Sequence, residues 1–72
     1  MSRKEQKVDL LARFADSEAA DVSEDIAEGK AVDIRIRVLE AADFYRRTCD
    51  RQASFQDVVD ALEAAMARKG IG

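Results

Sequence analysis

Histidine, proline and tryptophan are missing from this chain, which has a single cysteine, three glycines, three phenylalanines and one tyrosine among 72 residues. Without histidine it lacks the commonest general base and the commonest metal ligand. The lone Cys49 cannot close an internal disulfide and has no imidazole to activate it. It falls on the apolar stripe of its predicted helix, so it reads as a small core residue. No apolar run approaches the roughly 20 residues of a membrane-spanning helix. The opening "MSRKEQK" lacks the apolar segment of a secretory signal, so a cytoplasmic protein without a membrane partner is expected. There is no glycine-rich phosphate loop. "DVSED" spaces Asp21, Ser23 and Asp25 as alternating oxygen ligands but lacks the glycine and terminal glutamate of a calcium loop. The expectation is a protein that is not an enzyme and holds no metal or cofactor.

What remains is charge and short apolar periodicity. Charged residues make up 38% of the chain and hydrophobic ones 47%, too apolar for a disordered tail. The net charge is −3. Residues 1–29 hold eight acidic side chains against four basic; residues 30–72 hold seven against eight. An acidic chain is a poor starting point for binding nucleic acid, whose phosphates supply most non-specific affinity. So short a chain, with no disulfide to brace it, gains stability from close helix packing or from self-association. A homodimer is therefore expected.

Four helices are legible. Over 3–15, Val8, Leu11 and Ala15 recur at helical spacing, with Leu10 and Phe14 on the flank. Asp16 and Ser17 interrupt that pattern, and Ser17 suits an N-cap. A second helix over 18–28 carries Ala19, Val22 and Ile26 and stops at Gly29. Its acidic residues form a solvated face or, in a sharper reading, an acidic decoy that imitates nucleic acid over residues 16–28. A third helix is expected over 33–52. A fourth over 55–69 has Phe55, Val58, Val59, Leu62, Ala65 and Met66 on one face, Ser54 as N-cap and Gly70 as its stop.

The stretch "KAVDIRIRVLEAADFYRR" carries the ambiguity. In "VDIRIRV", Val32, Ile34, Ile36 and Val38 alternate with Asp33, Arg35 and Arg37, as in a half-buried strand. The same residues also continue a helical stripe of Ile34, Val38, Ala41, Ala42, Tyr45 and Cys49, with Asp33 as N-cap. The strand would need a partner strand, and only a second copy of the chain could offer one.

With "VDIRIRV" as strand, "LEAADFYRRTCDRQ" and "SFQDVVDALEAAM" follow as two helices, and residues 32–67 then resemble the ribbon-helix-helix family of bacterial and phage DNA-binding repressors. The resemblance implies a dimer with one short strand per chain, its paired strands in the DNA major groove. Asp33, Arg35 and Arg37 would then be the base-reading positions, and the helix start at Ser54 would hold a phosphate. The chain departs from the family pattern. "RVLEA" has no cap between strand and helix, Asp33 would put a carboxylate among phosphates, and the N-terminal extension is acidic.

The leading expectation is the all-α one, a small three- or four-helix domain, dimeric, that binds another protein. On the third helix Ile36, beside Leu39 and Val32, forms a second apolar edge off the core stripe. Phe44 also lies off that stripe, and Arg47 and Arg51 align one turn apart. Ile36, Leu39, Phe44, Arg47 and Arg51 are therefore the expected interface, an apolar edge with an arginine rim.

Overall fold

A computed structural model describes residues 3–71, with side chains from Asp9 onward; Val8, placed on the first stripe by its spacing, lies outside the described side chains. The described chain is all-α: α1 (Arg3–Ala27), α2 (Ile34–Thr48) and α3 (Phe55–Arg68). No strand occurs among the described residues. The long dimension of 41 Å, against 21 and 16 Å across, follows from α1, whose 25 residues extend about 37 Å at a rise of about 1.5 Å per residue.

The two helices expected over 3–15 and 18–28 are one helix. Asp16 and Ser17 do not break it, because the residues on either side of them share one face. Ala15, Ala19 and Val22 recur at i, i+4 and i+7, and all three are buried. A break would have turned Ala15 and Ala19 away from each other. Asp16 does not cap anything; its carboxylate takes Arg68 Nη2 at 2.8 Å, across to the end of α3. Tertiary packing has overridden a local stop signal, as it commonly does for weak propensities.

The ends of α1 and α3 behave as their sequences indicate. Gly29 adopts φ +82° and Gly70 φ +74°, the left-handed region that closes a helix cheaply only with glycine. Lys30 N–H donates to Asp25 O and Gly29 N–H to Ile26 O, which satisfies carbonyls the helix leaves open. Ile71 N–H donates to Met66 O in the same way, and the Ile71 side chain folds back onto the core.

α2 starts where the helical reading places it. Asp33 is extended at φ −89°, and its carboxylate accepts from Ile36 N–H at 3.2 Å. Val32 and Ile34 pack on the core, so Val32 does not join the exposed edge expected for it. The helix ends at Thr48, short of 52. Asp50 there accepts from Gln52 N–H at 3.0 Å, a local turn that competes with the helix. This early end corrects the reading of Cys49, which is exposed. A helical stripe is buried only where another helix lies opposite it, and Cys49 sits past the last turn of α2.

The core is made by Ala15, Ala19 and Val22 from α1, Val38, Ala41, Ala42 and Tyr45 from α2, and Val58, Val59, Leu62, Ala65 and Met66 from α3. α3 contacts both other helices extensively, whereas α1 and α2 touch less. The α1–α2 seam is held by Phe14, whose ring lies 5.0 Å from that of Tyr45 and 6.3 Å from that of Phe44.

Candidate interaction surface on α2

The outward side of α2 follows from helix geometry. Counting about 100° per residue, Ile36, Asp43 and Arg47 lie within about 20° of one line along the helix. Leu39 sits about 60° to one side of Ile36, and Phe44 about 80° to the other. Asp33 as cap and Val38, Ala41, Ala42 and Tyr45 as core fix this rotation, so Ile36 faces away from the bundle. Ile36 is 51% exposed and Leu39 44%. Neither belongs to the buried core cluster or to the half-buried side chains packed on it.

Leu39 continues into a shallow groove of about 230 Å³ between α2 and α3, lined by Ile34, Arg35, Val38, Leu39, Val59 and Glu63. Four of the six are apolar, and Arg35 and Glu63 add one charge of each sign. Sequence reading placed Ile34, Val38 and Val59 on the helical stripes that form the core. That they also line a groove depends on how α2 and α3 lie together, for which periodicity within one helix carries no signal.

The structure separates the expected interface residues. Ile36, Leu39 and Arg47 share the outward side. Phe44, 53% exposed, leans the other way and stacks on Phe14 of α1. Arg51 lies beyond the end of α2, in the turn before α3, so its alignment with Arg47 does not come from a shared helix. Arg47 and Arg51 nonetheless line one hollow of about 320 Å³ with Asp43 and Arg46.

The chain matches no known protein family, no curated protein and no solved structure.

Of the residues named for DNA binding, Asp33 and Arg37 are engaged within the chain. Residues 34–38 form the first turns of α2, not a strand, so Asp33, Arg35 and Arg37 do not alternate on one face. Asp33 caps the helix. Arg37 is half-buried against α1, with Nη1 at 2.8 Å from Asp25 Oδ2. Ser54 occupies the N-cap position of α3 with extended backbone, but its hydroxyl makes no capping bond; Asp57 supplies the acidic group of the first turn. Arg35 remains exposed at the groove.

Electrostatics on the α1 side bind α2 rather than free it. The Arg37 hydrogen bond holds the Asp25 carboxyl below the ordinary carboxylate range, helped by Lys30. Glu18 shifts the other way, because partial burial and then the neighbouring Asp21 disfavour its charge, against an opposing pull from Arg37. Burial likewise pushes the Tyr45 hydroxyl up, with Asp50 and Cys49 adding to it. Among the described residues no cluster of three or more acidic or cysteine side chains could hold a metal ion, and no helix is long and apolar enough to cross a membrane.

Proposed function

We propose that this chain is a small regulatory or adaptor protein that works by binding another protein along the outward side of α2. The observation that carries the reading is the pair Ile36 and Leu39. Both are large apolar side chains about half exposed on the outward side of α2, and Leu39 also lines the groove between α2 and α3. Covering the exposed half of such side chains is worth about 0.7–1.5 kcal/mol each. An apolar strip ringed by Arg35, Arg47 and Glu63 has the composition of a small interface, apolar at its centre and charged at its rim.

A displayed library of helix-patterned peptides of about 16 residues, several helical turns, tests this with the full chain as bait. Selected peptides are expected to compete for one site. They should lose about 2 kcal/mol or more, roughly 30-fold in Kd, against the Ile36→Asp/Leu39→Asp variant, whose own thermal unfolding stays close to that of the parent chain. Peptides indifferent to that double substitution would overturn the reading. So would steeply salt-dependent binding to mixed duplex DNA that is lost in Arg35→Ala/Arg37→Ala, which would instead support the repressor reading. Sedimentation of the chain alone provides the third outcome. A dimer abolished by the same double substitution would identify a second copy as the partner.

A further inference from the structure

The arginine hollow specifies the charge of whatever docks beside it. Arg46, Arg47 and Arg51 line it against the single carboxylate of Asp43. Arg46 is half-buried and its Nε donates to Ala53 O at 2.9 Å, which fixes the guanidinium against the α2–α3 turn. Arg47 uses its Nε on Asp43 Oδ2 at 3.1 Å, on a side chain that is otherwise well exposed. Arg51 makes no ion pair or side-chain hydrogen bond among the described residues. Three guanidiniums therefore converge with their charge only partly answered. A guanidinium offers a planar fork of donors that matches a carboxylate.

The hollow lies further along the same side of α2 as Ile36, with the exposed carboxylates of Glu40 and Asp43 between them. From Ile36 to Arg47 along α2 is 11 residues, about 16 Å. A ligand that covers Ile36 and Leu39 and extends along α2 therefore brings its far end to the arginines. Nucleic acid fits poorly, since it has no apolar surface for Ile36 and Leu39, and the acidic α1 lies on the same small molecule. A peptide added as a strand would need a sheet edge, which the described residues lack, and a polyproline segment an aromatic-lined groove, whereas this groove has no aromatic lining. An amphipathic helix needs only a groove and a strip.

Building on the protein-binding role proposed above, we infer that the partner segment is an acidic amphipathic helix. Its apolar side chains cover Ile36 and Leu39, and Asp or Glu residues two to three turns away enter the hollow of Arg46, Arg47 and Arg51. The bound carboxylates supply the counter-charge that Asp43 alone does not.

The peptides selected on the full chain test this by their sequences. Enrichment in Asp and Glu two to three turns from the apolar anchors is expected. Arg47→Glu/Arg51→Glu should weaken such peptides by at least about tenfold and make added salt matter less. Neither arginine supports the core, but Arg47→Glu loses the Asp43 pair and reverses a charge in the last turn of α2, so that variant should unfold slightly below the parent yet stay fully folded at the assay temperature, as circular dichroism checks. Selection against the variant itself should then enrich Lys and Arg at the same peptide positions. Peptides that need Ile36 and Leu39 but ignore the arginine reversal would overturn the acidic-helix inference and leave the protein-binding role standing. Inorganic phosphate that displaces the peptides at constant ionic strength, and binds Ile36→Asp/Leu39→Asp unchanged, would make the hollow a small-anion site and also overturn it. Failure to select any peptide dependent on Ile36 and Leu39 would remove both.

Discussion

At Asp33 one carboxylate accepts Ile36 N–H and sets the phase of every residue after it in α2. Removing that acceptor leaves an end N–H without its partner. Asp33→Ala should therefore cost about 1 kcal/mol of unfolding free energy, read by urea denaturation, with faster amide exchange over the first turn. Asp25 and Glu18 make opposite predictions with pH. The carboxyl of Asp25 is held low in the folded chain, so its contribution is present above the ordinary carboxylate range and lost as pH falls through the lowered pKa. Asp25→Asn should melt below the parent at neutral pH, and the gap should close in acid. Glu18 is raised, so its contribution is present in acid and lost as pH rises through the raised value. Glu18→Gln should melt above the parent at neutral pH and converge with it in acid. Thermal melts followed by circular dichroism over a pH series decide both.

α1 is the element whose continuity separates two architectures. A single helix holds Ser17 in its interior, where proline would remove a backbone hydrogen bond and clash with the preceding turn. Ser17→Pro should then destabilise by about 3 kcal/mol or more. Had a second helix begun at residue 18, proline beside its start would be tolerated. α2 is the element whose conformation separates the functional readings. As a helix it turns Ile36 outward beside Leu39 and points Arg37 at Asp25. As a strand it would have put Ile36 inward with Ile34 and freed Arg37. The alternation of "VDIRIRV" is compatible with either, because on a helix Ile34 and Val38 fall on one side and Ile36 on the opposite one. The capping carboxylate and the following helical stripe favour the helix together, and both were visible in the sequence.

At the scale of the whole molecule, small residues let α1 approach the rest of the core. Ala15 and Ala19 of α1 and Ala65 of α3 are all buried in it. Ala19→Leu should cost about 1–3 kcal/mol, because the added atoms have no space to occupy. Ala20→Leu, one position along and exposed, should stay within about 0.5 kcal/mol of the parent. The pair of chemical denaturation curves checks that the buried side of α1 is the one described. The outward strip on α2 is likewise a property of the assembled bundle. Ile36 stays exposed because Val38, Ala41, Ala42 and Tyr45 take the inward side, and Leu39 meets a groove only because α3 brings Val59 and Glu63 alongside.

By itself the sequence determined the local features: an all-α chain, the cap at Asp33, the glycine stops at 29 and 70, the stripe of α3 and the apolar edge at Ile36 and Leu39. These depend on near neighbours along the chain, where a 3.6-residue repeat and a capping side chain act directly. Tertiary structure alone decided that α1 runs unbroken through Asp16 and Ser17, that Cys49 lies outside the core, that Phe44 turns to Phe14, and that Arg37 answers Asp25 while Arg46, Arg47 and Arg51 gather at one hollow. The contacts of Asp16, Phe44 and Arg37 join residues 12 to 52 positions apart, and the places of Cys49 and the three arginines depend on where α2 ends. Periodicity within a single helix holds no record of such distances.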